Sequence, residues 1–240
     1  MNVALSVVIP VFNEAENIRP LLAEIVAALE TVWHFEIVCV DDHSQDGTLE
    51  VLRAAQAELG LLRILHHAAR AGQSAAIRNG VKAAHGAWIA TLDGDGQNDP
   101  VDIPKLLKIR DAADPAIKLF AGWRIDRQDG TSKRWGSRWA NRIRTGILHD
   151  DTPDTGCGIK LFERDAFLDL PYFDHMHRYL PALMQRAGWK TISVPVSHRR
   201  RIAGESKYNN ITRAVAGISD LRGVAWLIRR SNPVDVREIP

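Results

Sequence analysis

Short apolar runs alternate with helical patterns through the first half of this 240-residue chain, and this alternation restricts the fold most. Runs of strand length span residues 4–12, 36–40 and 87–92, and each is followed by polar or acidic residues. Between the first two runs, apolar residues recur at helical spacing from Ile18 to Leu29. Continuous apolar strands separated by helices are typical of parallel sheets with right-handed crossovers. The sequence therefore predicts an α/β fold with a Rossmann-like, mostly parallel sheet flanked by helices.

The run 87–92 leads directly into the segment Asp93-Gly94-Asp95-Gly96-Gln97, which holds two carboxylates and an amide. In an open α/β sheet, ligands bind just beyond the carboxyl ends of the strands. Mg²⁺ or Mn²⁺ held by one or two carboxylates usually completes its coordination with phosphate oxygens. The segment therefore indicates a metal site that receives a nucleoside diphosphate.

Three other interpretations of this segment compete with a metal site. An EF-hand loop fails, because Asn98 replaces its sixth-position glycine and Pro104 its twelfth-position glutamate. A phosphatase-type nucleophile fits the Asp-x-Asp spacing, although that motif is expected near the N-terminus. A solvated Asp/Gly turn is the third, and the motif alone does not decide between it and a metal site.

Acidic residues recur where the strand runs end. Glu14 follows the first run, Asp41 and Asp42 follow the second, and Asp93 and Asp95 follow a later one. Neighbouring parallel strands bring such ends to one rim of the sheet. The recurrence at three strand ends favours a functional site over separate turns and helix caps.

Composition and charge exclude several classes of protein. Hydrophobic residues make up 45% and charged residues 25%, as in ordinary soluble domains, and a net charge of +2 predicts no nucleic-acid partner. Cys39 and Cys157 are too few for a disulfide framework and fit a reducing compartment. No leader pattern is present, and no apolar run approaches the ~18 residues that span a bilayer. We therefore expect a cytoplasmic protein that can still touch a membrane.

The chain shows no repeat and no linker, so one domain is expected over residues 1–208. Residues 209–240 form a basic, amphipathic helical region, with apolar residues at helical spacing among Arg213, Arg222 and Arg229. Such a helix belongs to the same domain, contacts a partner or lies in a membrane interface. The sequence leaves these possibilities open.

Several ordered motifs cover nearly the whole chain, in segments 6–14, 40–48, 93–97, 122–124, 155–157, 178–181 and 204–208. In order and spacing they resemble the motifs of family 2 glycosyltransferases with the GT-A fold. More closely, they resemble the dolichol-phosphate mannosyltransferase branch and its bacterial polyprenyl-phosphate relatives. This resemblance implies a metal-dependent, inverting transfer from a donor such as GDP-mannose or UDP-glucose to undecaprenyl or dolichyl phosphate.

The resemblance also implies roles for individual residues. The donor-binding residues that it implies are Pro10, Phe12, Glu14, Cys39, Asp41, Asp42, Asp93 and Gly94. Within that set, Asp41 or Asp42 would hydrogen-bond the base, and Cys39 would contribute its main chain. The implied ligands of Mg²⁺ or Mn²⁺ are Asp93, Asp95 and Gln97. The implied catalytic residues are Asp95, Arg124, Arg201 and Lys207, the last three as phosphate-binding cations.

A polyprenyl phosphate is already an anionic nucleophile, so it needs positive charge around it rather than the general base that an alcohol needs. The basic stretches 134–144 and 198–207 offer that charge. The expected partners are a nucleotide-sugar donor, the lipid acceptor, and a membrane surface or membrane protein at the inner face. A homo-oligomer is left open.

Three alternative functions remain at this point. They are a glycosyltransferase with a non-lipid acceptor, a nucleotidyltransferase, and a non-catalytic, membrane-associated binding subunit. A nucleotidyltransferase would usually have a glycine-rich phosphate loop after the first strand, where residues 13–16 read Asn-Glu-Ala-Glu. The sequence does not distinguish the donor sugar, or guanine from uracil as its base.

Overall fold

The computed structural model describes residues 3–30, 34–125, 144–150, 152–199 and 210–231, with side chains from residue 217 onward in the last range. Its strands are β1 (Leu5–Val11), β2 (Phe35–Asp41), β3 (Leu62–His66), β4 (Trp88–Thr91), β5 (Ile117–Arg124), β6 (Lys160–Glu163) and β7 (Lys190–Val196). Within the described ranges they form one sheet in the order β3-β2-β1-β4-β6-β5-β7. Only β6 runs antiparallel to its neighbours, β4 and β5. The predicted mostly parallel sheet is confirmed.

Helices cover both faces of this sheet. They are α1 (Ala15–Leu29), α2 (Thr48–Glu58), α3 (Gln73–Ala83), α4 (Asp102–Asp111), α5 (Arg164–Leu168), α6 (Leu180–Arg186) and α7 (Asn210–Arg229). Apolar residues of α1, α2 and α4 join one buried cluster, and those of α3, α5, α6 and α7 join another. The sheet lies between the two clusters, so its central strands are covered on both sides.

The central strand β1 shows why its sequence is continuously apolar. Val7 and Ile9 point into the first cluster, and Val8 points into the second. Successive side chains of a strand face opposite sides of the sheet, so both sides of β1 require apolar residues.

Helix α7 packs on the body of the protein through one face. Val224 is buried in the second cluster, and Leu221 and Ile228 pack against it. On the outer face, Ile218 and Trp226 are 56% and 55% exposed, and three arginines lie exposed between and beyond them. From residue 217 onward, the apolar stripe predicted for this region therefore meets the protein's own core, except at Ile218. Among the described residues, no helix combines the length and apolar character needed to cross a membrane.

Apolar residues over the segment 177–187 follow helical spacing, but the structure divides this segment into two elements. A 3₁₀ turn covers Met176–Arg178, and α6 begins only at Leu180. Pro181 lies in the first turn of α6, where its missing N–H costs no intrahelical hydrogen bond. Proline therefore sets the start of the helix later than the apolar pattern indicated.

Candidate active site

The carboxyl ends of β1, β2 and β4 meet at one edge of the sheet. Strand β1 pairs with β2 on one side and β4 on the other, so the strand order reverses there. Asp41 lies in register with Val11, and the N–H of Asp42 donates to the Val11 carbonyl at 2.8 Å. Strand β4 ends at Thr91, two residues before Asp93. The predicted acidic residues thus gather at the topological switch point, where open α/β sheets bind ligands.

The Asp93 carboxylate is held in a defined position. Its Oδ1 accepts a hydrogen bond from Gln73 Nε2 at 2.8 Å, and its backbone N–H donates to Asn98 Oδ1 at 3.0 Å. Burial and the neighbouring charge of Asp95 raise the pKa of Asp93 to about 6, although Lys160 acts in the opposite direction. A buried carboxylate whose ionisation is opposed by a neighbouring carboxylate marks a place that favours a cation.

Two glycines allow the backbone to close around these carboxylates. A Cβ on Gly158 would lie 2.2 Å from Asp93 Oδ2, and one on Gly94 would lie 3.3 Å from the Pro10 carbonyl oxygen. Gly96 adopts a φ of 72°, in the left-handed region that side chains disfavour. The glycines of the acidic segment therefore serve a close approach of backbone and carboxylates, which a solvated turn does not require.

The donor atoms of this loop suit a hard divalent cation. Asp93 and Asp95 supply carboxylates and Gln97 supplies an amide, and the Gln97 N–H donates to Asp95 Oδ1 at 3.1 Å. In the described part of the chain, no group of three His, Cys, Asp or Glu side chains forms a complete metal cage. A site with two carboxylates and further open positions fits Mg²⁺ or Mn²⁺ that also coordinates phosphate oxygens of a ligand.

The implied donor-binding residues at the end of β1 lie beside this loop, since a Cβ on Gly94 would lie 3.7 Å from Glu14 Cγ. Pro10, Phe12 and Glu14 are each partly buried at the end of β1. The Arg70 guanidinium lies 4.0 Å from the centre of the Phe12 ring, and Glu14 Oε2 accepts a hydrogen bond from Asn17 Nδ2 at 2.7 Å. A guanidinium stacked on this ring shows that its face accommodates a flat, polar group, as a nucleobase is.

Asp41 and Asp42 both make hydrogen bonds within the protein. Asp41 is fully buried, and its Oδ2 lies 2.7 Å from His66 Nδ1. The Asp42 carboxylate lies 2.7 Å from His67 Nδ1 and accepts the backbone N–H groups of residues 71–72 at 2.8 and 2.9 Å. Asp41 therefore holds the His66 side chain of β3, whereas Asp42 holds the loop that precedes α3.

Both cysteines are buried free thiols. Burial raises the pKa of Cys39 far above its usual range and that of Cys157 to about 11. Neither is a thiolate nucleophile at neutral pH. The Cys39 side chain belongs to the core, so only its main chain is available to contact a nucleotide-sugar donor, as the resemblance implies.

Two buried cations lie beside the acidic loop. Arg124 donates from Nε and a terminal nitrogen to the two oxygens of Asp154, at 2.6 and 2.9 Å. Burial opposes the charge of this guanidinium, but its bonds to Asp154 raise the pKa of Arg124. Lys160 donates to the Cys157 carbonyl, and burial lowers its pKa. Both charges lower the pKa of Asp93, so the site pairs its carboxylates with fixed positive charge.

The segment after β7 returns to the acidic loop. The Arg199 N–H donates to the Gln97 carbonyl at 2.9 Å, and the Arg199 side chain pairs with Asp99 at 2.7 Å. Arg201 and Lys207 lie outside the described residues, so their phosphate-binding role stays a prediction.

Sequence reasoning missed Gln73 and Lys160. A lysine inside the apolar run 159–162 is a signal that a buried charge needs a partner, and it could have marked Lys160. Gln73 begins α3 and gives no comparable signal, because its partner Asp93 lies 20 residues away.

Comparison with solved structures confirms the predicted GT-A fold. Glucosyl-3-phosphoglycerate synthase from Mycobacterium tuberculosis, in complex with Mg²⁺ and UDP, matches 97% of this chain and 81% of its own, with a TM-score of 0.70 and 15% identity. A mannosyltransferase from Pyrobaculum calidifontis, in complex with GDP-Man and Mn²⁺, matches 98% of this chain and 66% of its own, with a TM-score of 0.66 and 20% identity. At these low sequence identities, the likeness is evidence for the fold alone.

Two of the relatives with higher identity carry a polyprenyl phosphate in their names. Dodecaprenyl-phosphate galacturonate synthase of Rhizobium johnstonii is 36% identical over 236 residues, which cover 94% of this chain and 67% of the relative. Undecaprenyl-phosphate 4-deoxy-4-formamido-L-arabinose transferase of Edwardsiella ictaluri is 34% identical over 210 residues, covering 85% and 62%. The chain thus spans about two thirds of their length. The model of glycosyl transferase family 2 matches residues 6–170, and the chain belongs to that family.

Proposed function

We propose that this protein transfers a sugar from a nucleoside-diphosphate sugar to polyprenyl phosphate, with inversion and with Mg²⁺ or Mn²⁺. The observation that carries the proposal is the position of Asp93 and Asp95 at the switch point of the sheet, beside the buried cations Arg124 and Lys160. The names of the two relatives support a lipid-phosphate acceptor. The ligands of the structural neighbours support a nucleotide donor and a divalent metal.

In this reaction, an oxygen of the acceptor phosphate attacks the anomeric carbon of the donor sugar. Its new bond forms as the bond from that carbon to the diphosphate oxygen breaks, on the opposite side, so the configuration inverts. The acceptor phosphate is ionised at neutral pH, so no proton has to be removed. This explains why the site does not need a general base.

Residues of the chain would share the binding of donor and acceptor. Asp93, Asp95 and Gln97 would hold the cation, which neutralises charge on the leaving diphosphate when it is bound. Phe12 would stack on the base, whose polar edge would meet Asp41 or Asp42 and the main chain of Cys39. Arg124, oriented by both oxygens of Asp154, would face the phosphates with its remaining N–H groups.

Arg201 and Lys207 complete the proposed phosphate-binding set. Their segment starts at residues attached to the metal loop, through the bond from the Arg199 N–H to the Gln97 carbonyl at 2.9 Å. A charge-assisted contact contributes roughly 1.5–3 kcal/mol. We therefore expect Lys207→Ala to lower turnover by about ten- to a hundredfold in a transfer assay. Turnover within twofold of wild type would remove Lys207 from the site.

The protein is further proposed to act at the inner face of a membrane, where a lipid acceptor would present its phosphate. The outer face of α7 supports this location, because it combines exposed Ile218 and Trp226 with Arg222, Arg229 and Arg230. Apolar and basic residues on one exposed helix face suit the interface of an anionic bilayer. We also propose that α7 belongs to the same folding unit as residues 1–208, because its inner face packs on the core.

A screen of nucleotide-sugars tests the function. Thermal unfolding of the protein is measured with each of several UDP- and GDP-sugars, with Mn²⁺ and with EDTA. The donor is expected to raise the melting temperature more with Mn²⁺ than with EDTA, and the same donor is then used with undecaprenyl phosphate in a transfer assay. A product in which the sugar is joined to the lipid through one phosphate, together with released nucleoside diphosphate, supports the proposal.

Asp95→Asn is expected to abolish both transfer and the metal-dependent stabilisation, because one carboxylate of the pair is lost. Asp165→Asn is the matched control, since Asp165 is exposed on α5 and pairs only with Arg164 in the described contacts. Ordinary activity of Asp95→Asn, without a metal effect on either protein, would refute the metal site. Transfer to a soluble alcohol, or release of pyrophosphate, would instead identify a non-lipid acceptor or a nucleotidyltransferase.

A further inference from the structure

The loop between β3 and α3 connects two of the acidic positions at the rim. At one end of the connection, the Asp42 carboxylate accepts the N–H groups of Ala71 and Gly72 at 2.8 and 2.9 Å. At the other end, the next residue, Gln73, donates from Nε2 to Asp93 Oδ1 at 2.8 Å. A continuous path of hydrogen bonds and three backbone residues therefore joins Asp42 to Asp93.

The scaffold behind this path is rigid. Gly72 has a φ of 89°, in the left-handed region, and it allows the chain to turn sharply into α3. Helix α3 is packed closely on the sheet, because a Cβ on Gly80 would lie 2.4 Å from Val8 and 3.0 Å from Val40. The first residue of the helix, Gln73, thus projects from a fixed position toward the metal loop.

The hydrogen bond of Gln73 does not serve the helix itself. The N-cap position is Gly72, and no side chain caps the first turn of α3. The carboxamide instead supplies an N–H donor to one oxygen of Asp93, whose other oxygen faces Gly158. The hydrogen bond from Gln73 and the close approach of Gly158 together fix the rotation of the Asp93 carboxylate.

We propose that Gln73 is a positioning residue for the metal–diphosphate site, and that Asp42 acts on the orientation of Asp93 through the 71–73 loop. The proposal rests on the proposed function and deepens it, because it names the residues that set the geometry of one metal ligand. Partners that orient metal ligands typically contribute ten- to a hundredfold to metal affinity.

Mn²⁺ affinity, read from the electron paramagnetic resonance of free Mn²⁺, tests the proposal without an activity assay. It is measured in the presence of UDP or GDP, whichever stabilises the wild-type protein. Gln73→Leu keeps the size and helix preference of the side chain but removes the donor. It is expected to weaken Mn²⁺ binding by about tenfold or more, with little change in melting temperature. Gln56→Ala is the matched control, because Gln56 also makes one side-chain hydrogen bond, to the Leu62 carbonyl at 3.1 Å.

A double-mutant cycle with Asp42→Asn tests the connection itself. If Asp42 acts through Gln73, both changes disturb the same hydrogen bond, from Gln73 to Asp93. The double variant should then have about the same Mn²⁺ affinity as the single variant with the lower affinity. Binding of the same nucleotide in EDTA should stay within about twofold for Gln73→Leu. Additive losses of Mn²⁺ affinity in the double variant would show that Asp42 acts independently of Gln73 and would overturn the proposed connection.

The wild-type protein separates failure of this inference from failure of the function. Wild-type Mn²⁺ binding with nucleotide, unchanged in Gln73→Leu, overturns the positioning role and leaves the transferase proposal intact. Absence of Mn²⁺ binding in the wild type would refute the proposed metal-dependent function itself. Should Asp42→Asn fail to fold, the Gln73→Leu result still decides the role of Gln73.

Discussion

Individual atoms decide whether the acidic loop can hold a metal, and Gly158 gives the clearest case. The Cα of this residue borders Asp93, and an added Cβ would lie 2.2 Å from Oδ2 and 2.6 Å from Asn98 Oδ1. Asn98 also receives the Asp93 N–H, so neither neighbour can move without disturbing the loop. A glycine here is therefore a requirement of the site geometry rather than of backbone conformation.

Gly158→Ala is expected to displace the Asp93 carboxylate and weaken Mn²⁺ binding by about ten- to a hundredfold, the range seen when the orientation of metal ligands is disturbed. Titration of Mn²⁺ in the presence of nucleotide measures the change. Gly60→Ala is the control, because a Cβ there meets nothing within 4 Å. Equal affinities for the two variants would show that Asp93 does not hold the metal.

The parts of the site that sequence predicts are those whose signal is local. Asp93 and Asp95 follow an apolar run directly, so their place at a strand end is read from adjacent residues. Gln73 and Lys160 act on Asp93 across 20 and 67 residues, and no local pattern reports such contacts. Asp41 and Asp42 are adjacent and chemically identical, so only the structure shows that their hydrogen-bond partners differ.

At the scale of elements, a second polar cluster holds the amino edge of the sheet, opposite the active site. Glu36 at the start of β2 accepts from Ser6 Oγ on β1 at 2.6 Å, from the His85 N–H at 2.6 Å and from Arg63 on β3 at 2.7 Å. One carboxylate therefore joins three neighbouring strands and the segment between α3 and β4. These bonds all favour the ionised form of Glu36.

The pH dependence of stability should report this cluster. Burial opposes ionisation, but the bonds from Ser6, His85 and Arg63 outweigh it and lower the pKa of Glu36 below its ordinary 4.5. A lowered pKa in the folded state adds stability above about pH 4.5, and that stability is lost as the pH falls through the folded-state value. Glu36→Gln should therefore reduce the free energy of unfolding by about 1.5–3 kcal/mol at pH 7, with the difference shrinking below pH 4.5.

Urea unfolding at pH 7 and at pH 3.5 measures this difference. Glu50→Gln serves as the control, because Glu50 is exposed on α2 and should change the unfolding free energy by less than about 0.5 kcal/mol. A Glu36→Gln penalty that is the same at both pH values would contradict the role of the ionised carboxylate.

The sequence predicts correctly the elements that have a strong hydrophobic pattern. It says less about the direction of a strand or the first residue of a helix. The apolar runs of β1, β2 and β4 and the helical spacing of α1 gave the parallel half of the sheet. Strand β6 lies between β4 and β5 and runs antiparallel to both. Its four-residue apolar run does not show from the sequence in which direction the strand runs. The start of α6 depended on Pro181 rather than on the apolar spacing.

At the scale of the molecule, the described residues form two candidate functional surfaces, which come from distant parts of the sequence. The acidic rim is built from loops after β1, β2 and β4, whereas the basic outer face belongs to α7, whose inner face packs on the second core cluster. Tyr179, which precedes α6, donates to the Gly217 carbonyl of α7 at 3.2 Å. Packing and this bond hold α7 in one orientation, so its exposed residues form a fixed surface rather than a loose tail.

That surface should bind anionic bilayers. Flotation with vesicles of phosphatidylglycerol and phosphatidylcholine is expected to carry the protein upward at low salt and less so at high salt, because screening weakens the attraction of exposed charges. Each arginine near an anionic surface contributes about 1 kcal/mol, so Arg222→Ser with Arg229→Ser should weaken binding roughly thirtyfold. The matched control is Arg53→Ser with Lys108→Ser, which removes two exposed cations from α2 and α4 on the other face of the sheet.

Trp226→Ser separates the apolar part of the attraction from the charge. This change removes a 55% exposed indole from the centre of the surface and should lower the floated fraction at low salt without altering the salt dependence. Equal flotation of the α7 pair and the control pair would show that attraction is spread over the molecule. Absence of flotation for the wild-type protein would leave a membrane protein, rather than lipid, as the partner of α7, because an exposed tryptophan among arginines suits a protein contact equally well.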